Sequence, residues 1–208
     1  MLECTRAVQR DIPGIGKLFL ESFADSVIHT CGKIPHFAAI EDLFNCVYTA
    51  EPEGAFVVRD AGGQIVGYVF APARISYIWR HAVLGGHLCR WLWRWLKGDY
   101  GFGLHPVKIM FFNKMEFFRS AFTPHKAAEA RILSIAVSPT VRGQGLGTKL
   151  MQCALAYFRE QKAPLIRLEV RPDNVPAKRI YEKLGFIAAG LTKDSQGDWL
   201  IMLKEMER

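Results

Sequence analysis

Apolar positions divide the chain into segments of two different periods. Residues 2–8 alternate as a short strand would. Asp11 then marks a helix start, and Pro13 falls in the first turn, where a missing N–H costs nothing. Ile12, Ile15, Leu18, Phe19 and Phe23 recur at helical spacing and predict one buried stripe. A second helix is predicted over residues 36–48, with Phe37, Ile40, Leu43, Phe44 and Val47 inward. Residues 55–58 and 65–70 read as strands, and Asp60-Ala61-Gly62-Gly63 between them is a hairpin turn.

The period changes again near the middle of the chain. Residues 132–137 form an apolar, strand-like run that stops at Ser138-Pro139, because proline cannot donate to a ladder. Leu146, Leu150, Ala154, Leu155 and Phe158 then mark a helix, and residues 165–170 a further strand. Two last strands, 187–191 and 199–203, flank a turn at 194–197. Some sixty residues, 71–130, separate the strand ending at Phe70 from the run at Arg131, far more than a hairpin needs. Helical patterns at 81–97 and 108–122, broken across 98–106, predict an insertion within one domain covering 1–208.

Between the strand 132–137 and the helix at Leu146 lies Arg142-Gly143-Gln144-Gly145-Leu146-Gly147. A glycine-rich turn at a helix start presents backbone N–H groups at the positive end of the helix dipole, a site suited to phosphate. The glycine spacing is not Gly-x-Gly-x-x-Gly, and no Gly-Lys-Ser/Thr follows, so the dinucleotide and Walker patterns are both excluded. What remains is Arg142-x-x-Gly145-x-Gly147. It is followed, after one helix and one strand, by Asn174-x-x-Ala177-x-x-x-Tyr181-x-x-x-Gly185-Phe186.

These two halves, in this order and spacing, closely resemble the GNAT superfamily of acyl-CoA-dependent N-acyltransferases. Leu168-Glu169-Val170-Arg171-x-x-Asn174 looks most like the ribosomal-protein alanine N-acetyltransferase branch. The resemblance implies an α/β fold: a twisted mixed sheet of about seven strands with helices on both faces, here carrying a largely helical insertion. It implies acetyl-CoA as acyl donor and direct attack by a primary amine in a ternary complex. Ile135, Ala136 and Val137 would run beside the pantetheine arm, and an N–H near Val137 would meet the oxyanion. Arg142, Gly143, Gln144, Gly145, Leu146, Gly147 and Thr148 would hold the pyrophosphate, with Asn174 and Ala177 on the following turn.

For catalysis, Tyr181 is the candidate acid, since a phenol of pKa ~10 is protonated at neutral pH and can donate to the departing sulfur; the alternative is core packing. Glu169 is the candidate base by the same resemblance, and otherwise a paired surface carboxylate. Many relatives carry a glutamate where this chain has Arg131. That leaves Glu129, two residues earlier, as reserve base, and it leaves open a non-catalytic acyl-CoA sensor or scaffold. Asp25, His29 and His36 are candidate acceptor contacts, and Cys153 a rival nucleophile. The acceptor itself is not encoded legibly.

Composition adds three points. The five cysteines, at 4, 31, 46, 89 and 153, are odd in number and form no Cys-x-x-Cys pair, which reads as reduced thiols. With no secretory pattern in residues 1–9 and no spanning apolar run, a cytoplasmic protein is expected. No metal is expected, His81, His87 and Cys89 being a thin cluster. The net charge of +7 is concentrated: residues 71–130 hold nine Lys/Arg against three Asp/Glu, and four of the five tryptophans. On one helix over 81–97, His87, Arg90, Arg94 and Lys97 would lie opposite Leu84, Leu88, Trp91, Leu92, Trp95 and Leu96. That face reads as a lid on the acceptor cleft, a homodimer contact or a peripheral membrane contact; without a recognised motif, nucleic acid is disfavoured.

Overall fold

Two largely apolar runs, Ala55–Arg59 (β2) and Ile65–Phe70 (β3), are buried on both faces up to Arg59 and pair antiparallel as the centre of the first sheet. Alternation sorts their side chains: Phe56 and Val58 join one core cluster, while Ala55 and Val57 join the other. The computed structural model describes residues 2–105 and 128–206; the helix expected over 108–122 lies outside them. Cys4–Arg6 (β1) pairs with β2 on one side, and Ser134–Val137 (β5) with β3 on the other. The Asp60 carboxylate closes the β2–β3 turn by accepting from the N–H groups of Gly62 and Gln64.

The strand expected over 132–137 starts two residues later, and the chain just before it forms a separate short strand. Ala130–Arg131 (β4) pairs parallel with Leu165–Val170 (β6), whereas β5 belongs to the first sheet. The chain crosses over at Ile132, which donates to Arg167 O, and Leu133, which donates to Phe70 O. A second four-stranded sheet therefore forms in the order β4-β6-β8-β7, with Ile187–Asp194 (β7) and Gly197–Glu205 (β8) completing it. The architecture is mixed α/β, with eight strands and six α-helices among the described residues.

Helices pack on both faces of the first sheet. Ile12–Cys31 (α1) and Phe37–Ala50 (α2) cover one, burying Ile12, Ile15, Leu18, Ile40, Phe44 and Val47; Leu43 points to solvent instead, because the helix turns it past the packed stripe. Leu146–Glu160 (α5) covers the other through Leu146, Leu150, Ala154, Leu155 and Phe158, all five expected positions. Val175–Lys183 (α6) follows β6, and its first turn is capped by Asn174 Oδ1, which accepts from Ala177 N at 3.2 Å.

The helix expected over 81–97 is two. Ile75–Leu84 (α3) starts earlier, and His87–Leu96 (α4) begins after a break at Gly85-Gly86, where Gly86 takes φ +72°. The basic side of α4 faces inward. Asp42, buried on α2, accepts from Arg94 Nη1 at 2.7 Å and from the Tyr100 hydroxyl at 2.7 Å, with Arg90 Nη2 at 3.5 Å. His81 Nε2 lies 3.1 Å from His87 Nε2 and 3.0 Å from Thr49 Oγ1. Among the described residues, no three His, Cys, Asp or Glu side chains are grouped to hold a metal ion.

Candidate functional site

β5 is an edge strand, and its free edge opens on a cavity of about 590 Å³. The phase of its ladder follows from Ser138 N, which donates to Val66 O at 2.9 Å. Antiparallel pairing alternates, so Ala136 exchanges hydrogen bonds with Tyr68. Ile135 and Val137 then direct their N–H and C=O groups to the free edge. Val137 O there accepts from Arg142 Nε at 3.2 Å, which ties the arginine to the rim.

The next wall is the start of α5. Gly143 and Gly145 sit at φ +82° and +75°, a region that L side chains rarely adopt. Gly145 is the N-cap and offers no side-chain acceptor. The first intrahelical bond runs from Lys149 N to Gly145 O, so the N–H groups of Leu146, Gly147 and Thr148 have no acceptor within the helix. With the helix dipole behind them, they form an anion-binding end on a helix of 15 residues. No heavy atom lies within 4 Å of where a Cβ would stand on Gly143 or Gly145, so the space above the turn is open.

Opposite stands α6, contributing Pro176, Ala177, Ile180 and Tyr181, with Asn174 at its cap. Tyr181 is buried and packs edge-on against Phe186 at 6.1 Å between ring centroids. Burial pushes its phenol up to about 12, so it keeps its proton throughout the neutral range. No described residue hydrogen-bonds the Tyr181 hydroxyl.

The cavity thus brings together Ile135, Ala136, Val137, Arg142, Gly143, Gly145, Leu146, Gly147, Thr148, Asn174, Ala177 and Tyr181. Of the binding residues expected from sequence, Gln144 does not line it. Nor does either candidate base. Glu169 is exposed on β6 and ion-pairs with Arg167 at 2.7 Å. Glu129 accepts from Ser76 N at 3.1 Å in the first turn of α3, and hydrogen bonding from the Ser76 side chain first and its N–H second holds the carboxyl below the usual range. Arg131 and Arg167 are neighbours across the β4–β6 ladder, so the carboxylates and arginines share one charged face.

Other expected contacts lie apart from the cavity: His29 meets Ser195 Oγ at 3.1 Å, His36 meets Asp99 O at 3.0 Å, and Asp25 is exposed. Cys153 is half-buried beside Cys4 rather than lining the cavity. Six residues that sequence reasoning missed also line it: Val141, Met151, Pro176 and Ile180 beside the expected ones, and Ser22 and Phe23 from the distant α1. Phe23 has non-helical angles, φ −131° and ψ 25°, and kinks the helix where it meets the cavity. Ser22 Oγ is buried there without a hydrogen-bond partner among the described residues. A buried hydroxyl left unpaired at a cavity wall is available to a ligand.

Comparison with known proteins agrees with this geometry. The model of the acetyltransferase (GNAT) family matches residues 20–186. An N-alpha-acetyltransferase of Sulfurisphaera tokodaii is 39% identical over 153 residues, 73% of this chain and 64% of that protein. A ribosomal protein bS18-alanine N-acetyltransferase of Escherichia coli is 35% identical over 80 residues, 36% of this chain and 54% of that protein. The chain therefore spans about half to two thirds of the length of these curated relatives. Among solved structures, a phosphinothricin acetyltransferase from Sinorhizobium meliloti in complex with AcCoA superposes with a TM-score of 0.61 at 17% identity, covering 99% of this chain and 88% of that one. At that identity the likeness concerns the fold.

Proposed function

The chain belongs to the GNAT acetyltransferase family, and we propose that it transfers an acetyl group from acetyl-CoA to a primary amine by direct attack in a ternary complex. One observation carries this reading: a single cavity joins the free edge of β5, the open N–H groups of α5 and the buried Tyr181 hydroxyl. The residues fit such a donor. Two left-handed glycines give a phosphate open access to backbone N–H groups, and the Ser22 hydroxyl has no partner among the described residues. Acetyl-CoA supplies an activated thioester carbonyl when bound.

In this reading Arg142 and the N–H groups of Leu146, Gly147 and Thr148 hold the pyrophosphate. The edge groups of Ile135 and Val137 take the pantetheine amides as an added strand. In the same reading a strand N–H near Val137 serves as the oxyanion donor. Tyr181 donates its proton to the departing sulfur, and Glu169, outside the cavity, draws the amine proton through an intervening water. Glu129 is the reserve base. The domain is read as one unit over 1–208 with residues 71–130 inserted. The names of the relatives make a peptide with an N-terminal alanine the first acceptor to assay.

Thiol release from acetyl-CoA across a panel of amines and N-terminal peptides is the test. Tyr181→Phe is expected to lower kcat by ~10²–10⁴ with donor affinity retained; unchanged turnover would return Tyr181 to packing against Phe186. A second reading has its own observation, since both carboxylates are engaged by other groups and neither lines the cavity. It is a non-catalytic acyl-CoA sensor or scaffold. Tight donor binding with no thiol released across the panel would select it.

A further inference from the structure

The α3–α4 hairpin turns Arg90 and Arg94 toward Asp42, with Trp91 and Trp95 half-buried beside them, and leaves much of its remaining apolar surface facing outward. Arg90 and Arg94 are committed to Asp42, while Leu88, Leu92, Trp93 and Leu96 of α4 and Trp79, Val83 and Leu84 of α3 are exposed. Exposure reaches 60% for Trp93, 67% for Trp79, 68% for Leu96 and 78% for Leu84. Single exposed leucines need no explanation, but seven large apolar side chains on two short consecutive helices do.

Charge decides what covers them. No Asp or Glu occurs anywhere in residues 61–98. The cations left over after the Asp42 contacts are Arg74, Arg80 and Lys97, all exposed and without a carboxylate partner among the described residues. They border the apolar surface directly: Lys97 Nζ lies 4.7 Å from the Trp93 ring centre, and the Arg80 guanidinium 5.6 Å from that of Tyr77. A second copy meeting this patch about a two-fold axis would set these cations against one another, and Asp99, which follows the hairpin, is already paired with Arg94 at 3.2 Å. A leaflet containing acidic lipids offers the complement to both parts: an apolar boundary for Trp and Leu, and headgroup charge for Lys and Arg.

We propose that the α3–α4 hairpin docks this protein onto an anionic lipid surface, with Trp79, Leu84, Trp93 and Leu96 entering the interface and Arg80 and Lys97 meeting the headgroups. No described helix is long and apolar enough to cross a membrane, and the contact proposed is a peripheral one. It is independent of acetyl transfer.

Co-sedimentation of the full chain with phosphatidylcholine vesicles, with and without about one third phosphatidylserine, tests it. The chain should pellet with the acidic vesicles, remain in solution with the neutral ones, and be released by high salt. Arg80→Glu with Lys97→Glu should lower the partition coefficient by about tenfold or more. Trp93→Ser with Leu96→Ser should abolish pelleting while circular dichroism and acetyl-CoA binding stay unchanged. Wild-type chain that stays in solution with acidic vesicles, though folded, overturns the proposal. So does a dimer mass by light scattering that the Trp93→Ser, Leu96→Ser chain reduces to a monomer, because a second copy then occupies the face.

Discussion

Tyr181 and the two glutamates show how differently single residues carry information. Tyr181 is legible because the Asn174, Ala177 and Tyr181 spacing places it one helical face from its own cap, and the fold keeps that spacing. Its elevated pKa was not legible, since burial depends on Phe186 and the sheet behind it. The folded state holds the Tyr181 proton more tightly than the unfolded chain does. That contribution to stability is therefore complete below pH ~10 and lost as pH rises toward about 12. Urea midpoints at pH 9 and pH 11 should fall more for wild type than for Tyr181→Phe; equal falls would contradict the shift.

Glu129 runs the other way. Its carboxyl is held low by hydrogen bonds from the Ser76 side chain and N–H, so its contribution is present at neutral pH and lost as pH falls below the usual carboxylate range. Glu129→Gln should lose stability at neutral pH, more than at acid pH, and leave kcat nearly unchanged, whereas Glu169→Gln should lower kcat and leave thermal stability nearly unchanged. A kcat loss confined to Glu129→Gln would transfer the base role to Glu129. Ser22 and Phe23 were invisible in the sequence: they lie more than a hundred residues before the glycine turn, and only the packing of α1 against β5 brings them to it.

At the scale of elements, period predicted what packing then divided. The strands at 55–59, 65–70 and 165–170 and the stripe of α5 follow directly from burial on one or both faces. Two breaks did not show. Residues 132–137 read as one strand continuing from Arg131, yet the ladder partners of 130–131 and of 134–137 sit in different sheets. In the insertion the apolar period runs straight through Gly85-Gly86, and the positive φ at Gly86 ends the helix there. The inward turn of Arg90 and Arg94 depends on Asp42, which a helical reading of residues 36–48 leaves as a polar position like any other. Asp42→Ala strands two guanidiniums and the Tyr100 hydroxyl. It should cost about 1–3 kcal/mol, since the arginines are partly exposed. Urea unfolding measures the loss, and hydrogen exchange should locate it in α3 and α4; an unchanged midpoint would mean the hairpin is held by other contacts.

Across the whole molecule, the site exists because two sheets part company. β5 leaves the β4–β6 ladder, exposes a strand edge, and faces α6 across the gap into which α5 points its free N–H groups. Both halves of the motif were readable in the chain; the gap between them was not, because it comes from a change of partner rather than from any residue type. The central claim is that this gap holds acetyl-CoA, and isothermal titration measures it most directly. Wild-type chain should bind one equivalent, with a Kd in the micromolar range (about −8 kcal/mol), and Gly145→Val should bind none at the same concentrations, because its left-handed φ and open face are both lost. No heat from wild-type protein at millimolar acetyl-CoA, or equal affinity in Gly145→Val, would contradict the account.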